Sequence, residues 1–360
     1  MITDRPPNAS HHVSAPVDVL TSDKPVVSGD TAARFLHSRY GIDGVLSSLS
    51  SERDCNFLVR AAGAAYVLKF TNSAEQRAVT NFQTQALLHV AGKDPSLPVP
   101  KIIPDLDGAT ECLFDCSGTT IVARVLSFLE GTPLHSTAPS GQLMKSLGGA
   151  LARLDHALVD YTHPASRRDL LWDISRTAEL RKHAVHIPER EERHRVLKFL
   201  DLFEESVLPR LGQMRAQVIH NDMNPHNIVV SPPHHTEVSG IIDFGDMLFA
   251  PMINELATAL SYQLTATDRP FDFVRQFLGA YHAELPLMQE EIALLPDLIA
   301  ARHVLTITIS YWRATAYPEN GAYILRNNAG ARQGFDVLCK TSKPDLINMF
   351  SETCRGSSTL

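Results

Sequence analysis

The sequence predicts an α+β fold in two lobes, a small antiparallel sheet in front and a mainly helical lobe behind. Three observations on the 360 residues carry that expectation. Short β-compatible runs separated by turn residues crowd into the first 130 positions. Helical periods dominate after Glu130-Gly131-Thr132-Pro133, and one dense segment of β-branched pairs with acidic ends interrupts them. At this length two compact units are the natural division, placed here as a front lobe over 28–127 and a back lobe over 128–350.

Residues 1–27 are rich in Pro, Ser, Thr and Asp without a sustained apolar period, the pattern of an irregular leader. Asp30 or Thr31 is expected to cap a helix through Tyr40, with Gly41 as its stop. Runs at 45–49, 56–60 and 66–70, parted by a polar turn and by Ala61-Ala62-Gly63-Ala64, read as three antiparallel strands. Residues 75–90 follow as a helix with Phe82, Ala86, Leu87 and Val90 on one face, until Pro95, Pro98, Pro100 and Pro104 forbid its extension. A second hairpin is expected over 111–114 and 119–126. Behind it, helices are expected at 142–158, 189–211, 271–285 and 294–312, and residues 351–360 as a tail.

Composition narrows the function. The chain is 44% hydrophobic and 20% charged with 19 Gly and 22 Pro, which fits a folded globular protein rather than a collagen, coiled coil or disordered chain. A formal net charge of −7 disfavours binding to a nucleic-acid backbone. The five cysteines are odd in number and irregularly spaced, so a reducing cytoplasm is expected; Cys112 and Cys116 lack the second ligand pair that zinc requires. No run is expected to span a membrane, and the first thirty residues lack the apolar centre of a signal peptide. No motif speaks to oligomeric state.

The chemistry concentrates in Gln217 to Val230 and Gly240 to Asp246. Asp222 and Asn227 are five apart with Pro225 between them, so they belong to a loop that curls back and not to one helix face. Asp243 leaves a strand straight into Phe244-Gly245, a position suited to holding a hard cation. An amide oxygen and a carboxylate with open positions suit Mg²⁺, which takes its remaining ligands from phosphates and water. A nucleoside triphosphate is then the expected co-ligand and phosphoryl transfer the expected reaction. Asp222, not needed by the metal, is free to accept a hydrogen bond or proton from an acceptor hydroxyl. His220 reads as a hydrogen-bonding strut of the loop; a histidine-based metallohydrolase would need ligand spacing that this stretch lacks. Lys69 is a single cation in the apolar run Tyr66-Val67-Leu68-Lys69-Phe70; alone such a lysine reads as a snorkelling edge residue, and it is its place upstream of the Asp/Asn/Asp set that makes a phosphate grip the expectation.

His220-x-Asp222-x-x-x-x-Asn227 with Asp243-Phe244-Gly245 resembles the catalytic loop and metal-binding triplet of the kinase superfamily, in its aminoglycoside phosphotransferase and choline kinase branch. The runs Glu52-Arg53-Asp54-Cys55-Asn56-Phe57, Phe128-Leu129-Glu130-Gly131 and Gly240 to Met247 are similar to hydroxylysine-kinase-like members, over roughly residues 30–330. The resemblance implies a two-lobed protein-kinase-like fold with ATP or GTP in the cleft, beside Asn56 and the hinge residues Ser127 and Leu129. It implies Lys69 on the α- and β-phosphates, Asp222 as catalytic base, and Asn227 and Asp243 on Mg²⁺, with Gly245 supporting the turn. The front loop lacks the glycines of the usual flap, and either Glu75 or Gln83 is expected to stand beside Lys69. Trp172, Asp173, Tyr311, Trp312, Arg313 and Asp246 are candidates for a substrate wall, with Glu255 beneath it. The expected acceptor is a small amino alcohol or amino acid, 5-hydroxylysine first, then an aminoglycoside, homoserine or a choline-like molecule. A nucleotide-binding regulator of the same fold is the other reading.

Overall fold

The computed structural model describes residues 22–51, 53–264 and 267–357. Most of the expected leader (1–21), Glu52 and the last three residues of the expected tail lie outside the described residues. Helix α1 (Gly29–Tyr40) is capped by Ser28, whose hydroxyl accepts from Thr31 N–H at 3.2 Å, and not by Asp30 or Thr31. Gly41 ends it at φ 63 with its N–H on the His37 carbonyl, a left-handed stop that glycine adopts without a Cβ penalty.

Strands β1 (Gly44–Leu49), β2 (Cys55–Ala61) and β3 (Ala64–Phe70) form the expected antiparallel meander. Helix α2 (Arg77–Lys93) follows, then β4 (Ile102–Ile103) and the hairpin β5 (Cys112–Cys116) and β6 (Thr119–Ser127). The sheet runs β1-β2-β3-β6-β4, with β5 also paired to β6. Because side chains alternate along a strand, each face packs on a different partner. Phe57, Leu68, Phe70 and Val125 bury against α1 in a separate front core. The opposite face carries one polar row across three strands, Asn56 opposite Lys69 and Lys69 opposite Arg124. Arg124 is 3% exposed and hydrogen-bonds Thr80, Gln83 and Thr84 of α2, which fixes that helix over the inner face.

Behind the hinge, β7 (Thr132–Pro133) and helix α3 (Gly141–Leu158) lead to a 3₁₀ stretch, Ile174–His186, that the sequence pattern did not reveal. Asp173, expected in a substrate wall, is its N-cap and accepts Ser175 N–H at 2.9 Å. The helix expected over 189–211 is divided into α4 (Arg190–Leu202), a π turn (Phe203–Val207) and one α turn (Leu208–Leu211). Pro209 has no N–H to give, and the ladder lengthens there, Leu208 N–H reaching the Phe203 carbonyl.

Four short strands then frame two loops. β8 (Ala216–Ile219) pairs with β11 (Leu248–Pro251), while β9 (Ile228–Val230) pairs with β10 (Val238–Ile241) and β7. The loop 220–227 and the turn 242–247 therefore each cross from one small sheet to the other. Helices α5 (Ile253–Ser261), α6 (Asp272–Glu284) and α7 (Gln289–Ala316) pack beneath them in the main core. By length and composition α7 is apolar enough to cross a membrane, contrary to the sequence expectation, yet 94% of its apolar window is buried inside the fold. It is a core helix. Helices α8 (Asn328–Lys340) and α9 (Lys343–Ser357) complete the lobe. Residues 351–357 thus continue a helix, with Cys354 buried against the core, and are not a tail.

Candidate active site

His220 leaves β8 fully buried, its ring edge-on to Phe244 at 4.8 Å. Its Nε2 lies 3.1 Å from the Ile242 carbonyl and its Nδ1 accepts Asp222 N–H at 3.3 Å, which assigns the ring proton to Nε2. Asn221 turns the chain through φ 66, and its N–H is held at 2.7 Å by Glu255 Oε2 at the start of α5. A non-glycine residue in this region costs free energy and persists because surrounding bonds over-determine it. The loop then curls back as its Pro225 requires. Asn224 Nδ2 donates to Asp222 Oδ1 at 2.9 Å, and Asn227 Nδ2 donates to Asp222 Oδ2 at 2.6 Å and to the Asp222 carbonyl at 3.0 Å. With its amide nitrogen so engaged, Asn227 keeps its amide oxygen without a donor among the described residues.

The second turn sits alongside. Ile228 pairs with Ile241 and Ile242 N–H bonds the Asn227 carbonyl at 2.8 Å, so Asp243 follows immediately after the residue tied to Asn227. Asp243 is exposed, has φ 64, and accepts Gly245 N–H at 3.2 Å. A Cβ on Gly245 would lie 2.9 Å from Asp243 Oδ1, which explains glycine there. The open carboxylate and the undonated amide oxygen are hard donors that fit Mg²⁺. Asp222 keeps 22% of its side chain exposed. Burial, then the field of Asp246, raise its carboxyl to about 7 against the pull of Arg302 and the Asn224 bond.

On the sheet side, Lys69 Nζ pairs with Asp54 Oδ2 at 2.9 Å. Neither expected neighbour fills that place. Gln83 Oε1 accepts from Arg124 Nη2 at 2.5 Å, and Glu75 faces Arg168 at 3.9 Å. Asp54 stands two residues before Asn56, the partner of Lys69 across the strands, and so lies diagonally from Lys69 on the same face. That register was the signal available in the sequence. Burial pushes the Asp54 carboxyl up, but the charge and hydrogen bond of Lys69, with Asn72 N–H and Arg124, bring it below the usual range.

The remaining candidates separate. Asn56 Oδ1 is buried in the row beside Lys69, with no hydrogen-bond partner among the described residues. Ser127 spends its hydroxyl on Lys101 N–H at 2.8 Å, and the side chain of Leu129 lies where a Cβ on Gly240 would touch it, at 3.0 Å. Asp246 meets Arg53 at 3.0 Å. Trp172 reaches the site through Arg302, whose Nη1 donates to the Trp172 carbonyl at 3.1 Å and whose guanidinium lies 5.3 Å from its ring centroid. Trp312 and Arg313 do not come to Asp222. Trp312 stacks on His183 at 3.8 Å, and ten residues along α7 from Arg302 is roughly 15 Å. Arg302 itself was missed: 3% exposed, it places Nη2 3.5 Å from Asp222 Oδ1. Its only sequence signal was a cation inside the apolar run of α7.

Comparison with known proteins gives a consistent picture. The model of the "Phosphotransferase enzyme family" matches residues 46–291. A hydroxylysine kinase of Danio rerio is 30% identical over 319 residues, 84% of this chain and 88% of the relative. Its counterpart in Xenopus laevis is 28% identical over 337 residues, 87% of this chain and 89% of the relative. Among solved structures, amicoumacin kinase hAmiN in complex with AMP-PNP, Ca²⁺ and Ami superposes with a TM-score of 0.68 at 17% identity, covering 89% of this chain and 97% of that one, a likeness of fold.

Proposed function

The chain belongs to the phosphotransferase enzyme family and is a small-molecule kinase, and on that premise we propose that it transfers the terminal phosphoryl group of ATP or GTP to the side-chain hydroxyl of 5-hydroxylysine. The observation that carries the chemistry is the bonding of Asp222 and Asn227 into one unit next to the Asp243 turn. Asn227 Oδ1 and the Asp243 carboxylate would hold Mg²⁺, which when bound neutralises charge on the transferring phosphate. Lys69 exchanges Asp54 for the inner phosphates. Asp222 Oδ orients the acceptor hydroxyl and takes its proton as the oxygen bonds to the terminal phosphorus and the bond to the bridging oxygen breaks. The acceptor assignment is supported by the hydroxylysine kinases that match most of the chain. The same reading places the enzyme in the cytoplasm, with its nucleotide donor.

The test is nucleotide consumption with Mg²⁺ and ATP or GTP across 5-hydroxylysine, homoserine, choline, ethanolamine and an aminoglycoside set. Preference for 5-hydroxylysine is expected. Preference for another hydroxyl compound would replace the acceptor and leave the kinase, whereas nucleotide binding without transfer to any would favour the regulator reading.

A further inference from the structure

In kinase-type folds the turn between the first two strands covers the nucleotide phosphates with glycine-rich backbone. Here Ser50, Ser51, Arg53 and Asp54 contain no glycine, and the turn's backbone is tied at three points. Asp54 N–H donates to Ser51 Oγ at 3.1 Å, Lys24 Nζ holds the Ser51 carbonyl, and Asn72 Nδ2 holds the Arg53 carbonyl at 2.9 Å. Asn72 is 2% exposed, and its own N–H donates to Asp54 Oδ1 at 2.9 Å. These ties fix the turn from behind, two through carbonyls and one through the Asp54 N–H. The cation it sends forward is Arg53.

The guanidinium of Arg53 crosses from the front sheet to the turn that follows Asp243. Its Nη2 lies 3.0 Å from Asp246 Oδ1, and its Nη1 would lie 3.9 Å from a Cβ on Gly245. The two side chains are 24% and 12% exposed, so the pair is open on one side. Asp246 has a second cation in its field, Arg168, which is 9% exposed and donates Nη1 to the Gly245 carbonyl at 3.2 Å. Arg53 can therefore leave Asp246 without stranding a buried carboxylate, the outcome that makes breaking such pairs costly.

We propose that Arg53 is a phosphate-gripping residue: its guanidinium, held on Asp246 in this structure, transfers to the terminal phosphate of a bound nucleoside triphosphate and replaces the backbone cradle of a glycine-rich flap. The proposal rests on the kinase reading above. A planar fork of N–H donors matches a phosphate as well as a carboxylate, so the move exchanges one anionic acceptor for another. Lys69 makes the parallel exchange from Asp54, and the two cations divide the terminal and inner phosphates between them.

Calorimetric titration of the full chain with AMP-PNP and with ADP, each with Mg²⁺, distinguishes this from a strut between the lobes. Arg53→Ala is expected to weaken AMP-PNP about tenfold to a hundredfold while ADP stays within a few-fold, with partial recovery in Arg53→Lys. Asp246→Asn is expected to keep the preference for the triphosphate. Equal loss of both nucleotides in Arg53→Ala, no loss of either, or the same selective loss in Asp246→Asn would overturn the proposal. Thermal melting of each variant separates misfolding from lost contact, and the lysine variant keeps the test open if the alanine variant does not fold. Failure of the unaltered protein to bind either nucleotide would overturn the kinase reading itself, a result unlike any of the others.

Discussion

The catalytic loop and the phosphate-facing side of the front sheet hold their charged groups by opposite means. In the loop the acting groups are tied by hydrogen bonds to amides and backbone: Asp222 to Asn224 and Asn227, His220 to the Ile242 carbonyl, and the backbone N–H of the left-handed Asn221 to Glu255. On the phosphate-facing side the cations meet carboxylates in ion pairs, Lys69 with Asp54, Arg53 with Asp246 and Arg168 with Glu75. The first arrangement fixes a geometry. The second offers each cation a partner that phosphate can replace. Proton transfer tolerates little misplacement, whereas a phosphate tail needs cations able to re-pair, so rigidity lies where the reacting atoms meet.

Substitutions in the two regions should therefore differ in kind. The largest effect is expected from Asp222→Ala, which should lower kcat about a thousandfold while nucleotide affinity stays within a few-fold, read from steady-state transfer and calorimetry side by side. Comparable turnover in this variant would remove the base assignment. Next comes Glu255→Ala, which leaves the buried Asn221 N–H without its acceptor and should cost about 1–3 kcal/mol in denaturant unfolding. Glu255→Gln keeps an oxygen at that place and should be nearly silent; equal damage from both would show that charge, not the bond, is what matters.

A third test uses pH. Burial, reinforced by the neighbouring Arg302, lowers the His303 imidazole to about 3. An unfolded histidine titrates near 6.5, so the unfolded chain binds the extra proton between those values and stability falls as pH drops below about 6.5, by up to about 1.4 kcal/mol per unit. Unfolding midpoints at pH 7, 6 and 5 should decline less steeply in His303→Gln, and parallel slopes would exclude this histidine as a source of acid sensitivity. The smallest effect belongs to the front lobe. Asp54→Ala should change nucleotide affinity only a few-fold with kcat preserved; a fall in kcat as deep as that of Asp222→Ala would erase the contrast between the regions.

That contrast also decides what the sequence made legible. Asp222, Asn227 and Asp243 lie within short spans whose turn residues dictate their own geometry, so spacing alone placed them in one loop and one turn. Lys69 was legible as a cation in an apolar strand, but its partner depended on strand register, and the nearer acid Glu75 belonged to Arg168. Arg302 sits eighty residues after Asp222, and no local pattern states which turn of a long helix passes under a distant loop. For the same reason Trp312, plausible by residue type, packs on His183 instead. The terminal helices went unseen because 328–340 and 343–357 carry Gly330, Gly334 and Pro344, which local propensity reads as breaks. Packing on α7 overrides it.

The catalytic loop begins on one small sheet and ends on another, and cross-ties at Ile242 set the two sheets against each other. Chain length is thereby rationed unequally along this stretch. A residue gained or lost between 220 and 227 shifts every later group against its partner on the adjoining turn. The exposed tip at 232–234, between β9 and β10, joins strands whose pairing is already set, and there the chain can lengthen without the reacting groups registering the change. Variation among descendants of this sequence, and any inserted tag or reporter, has its natural port of entry at that tip.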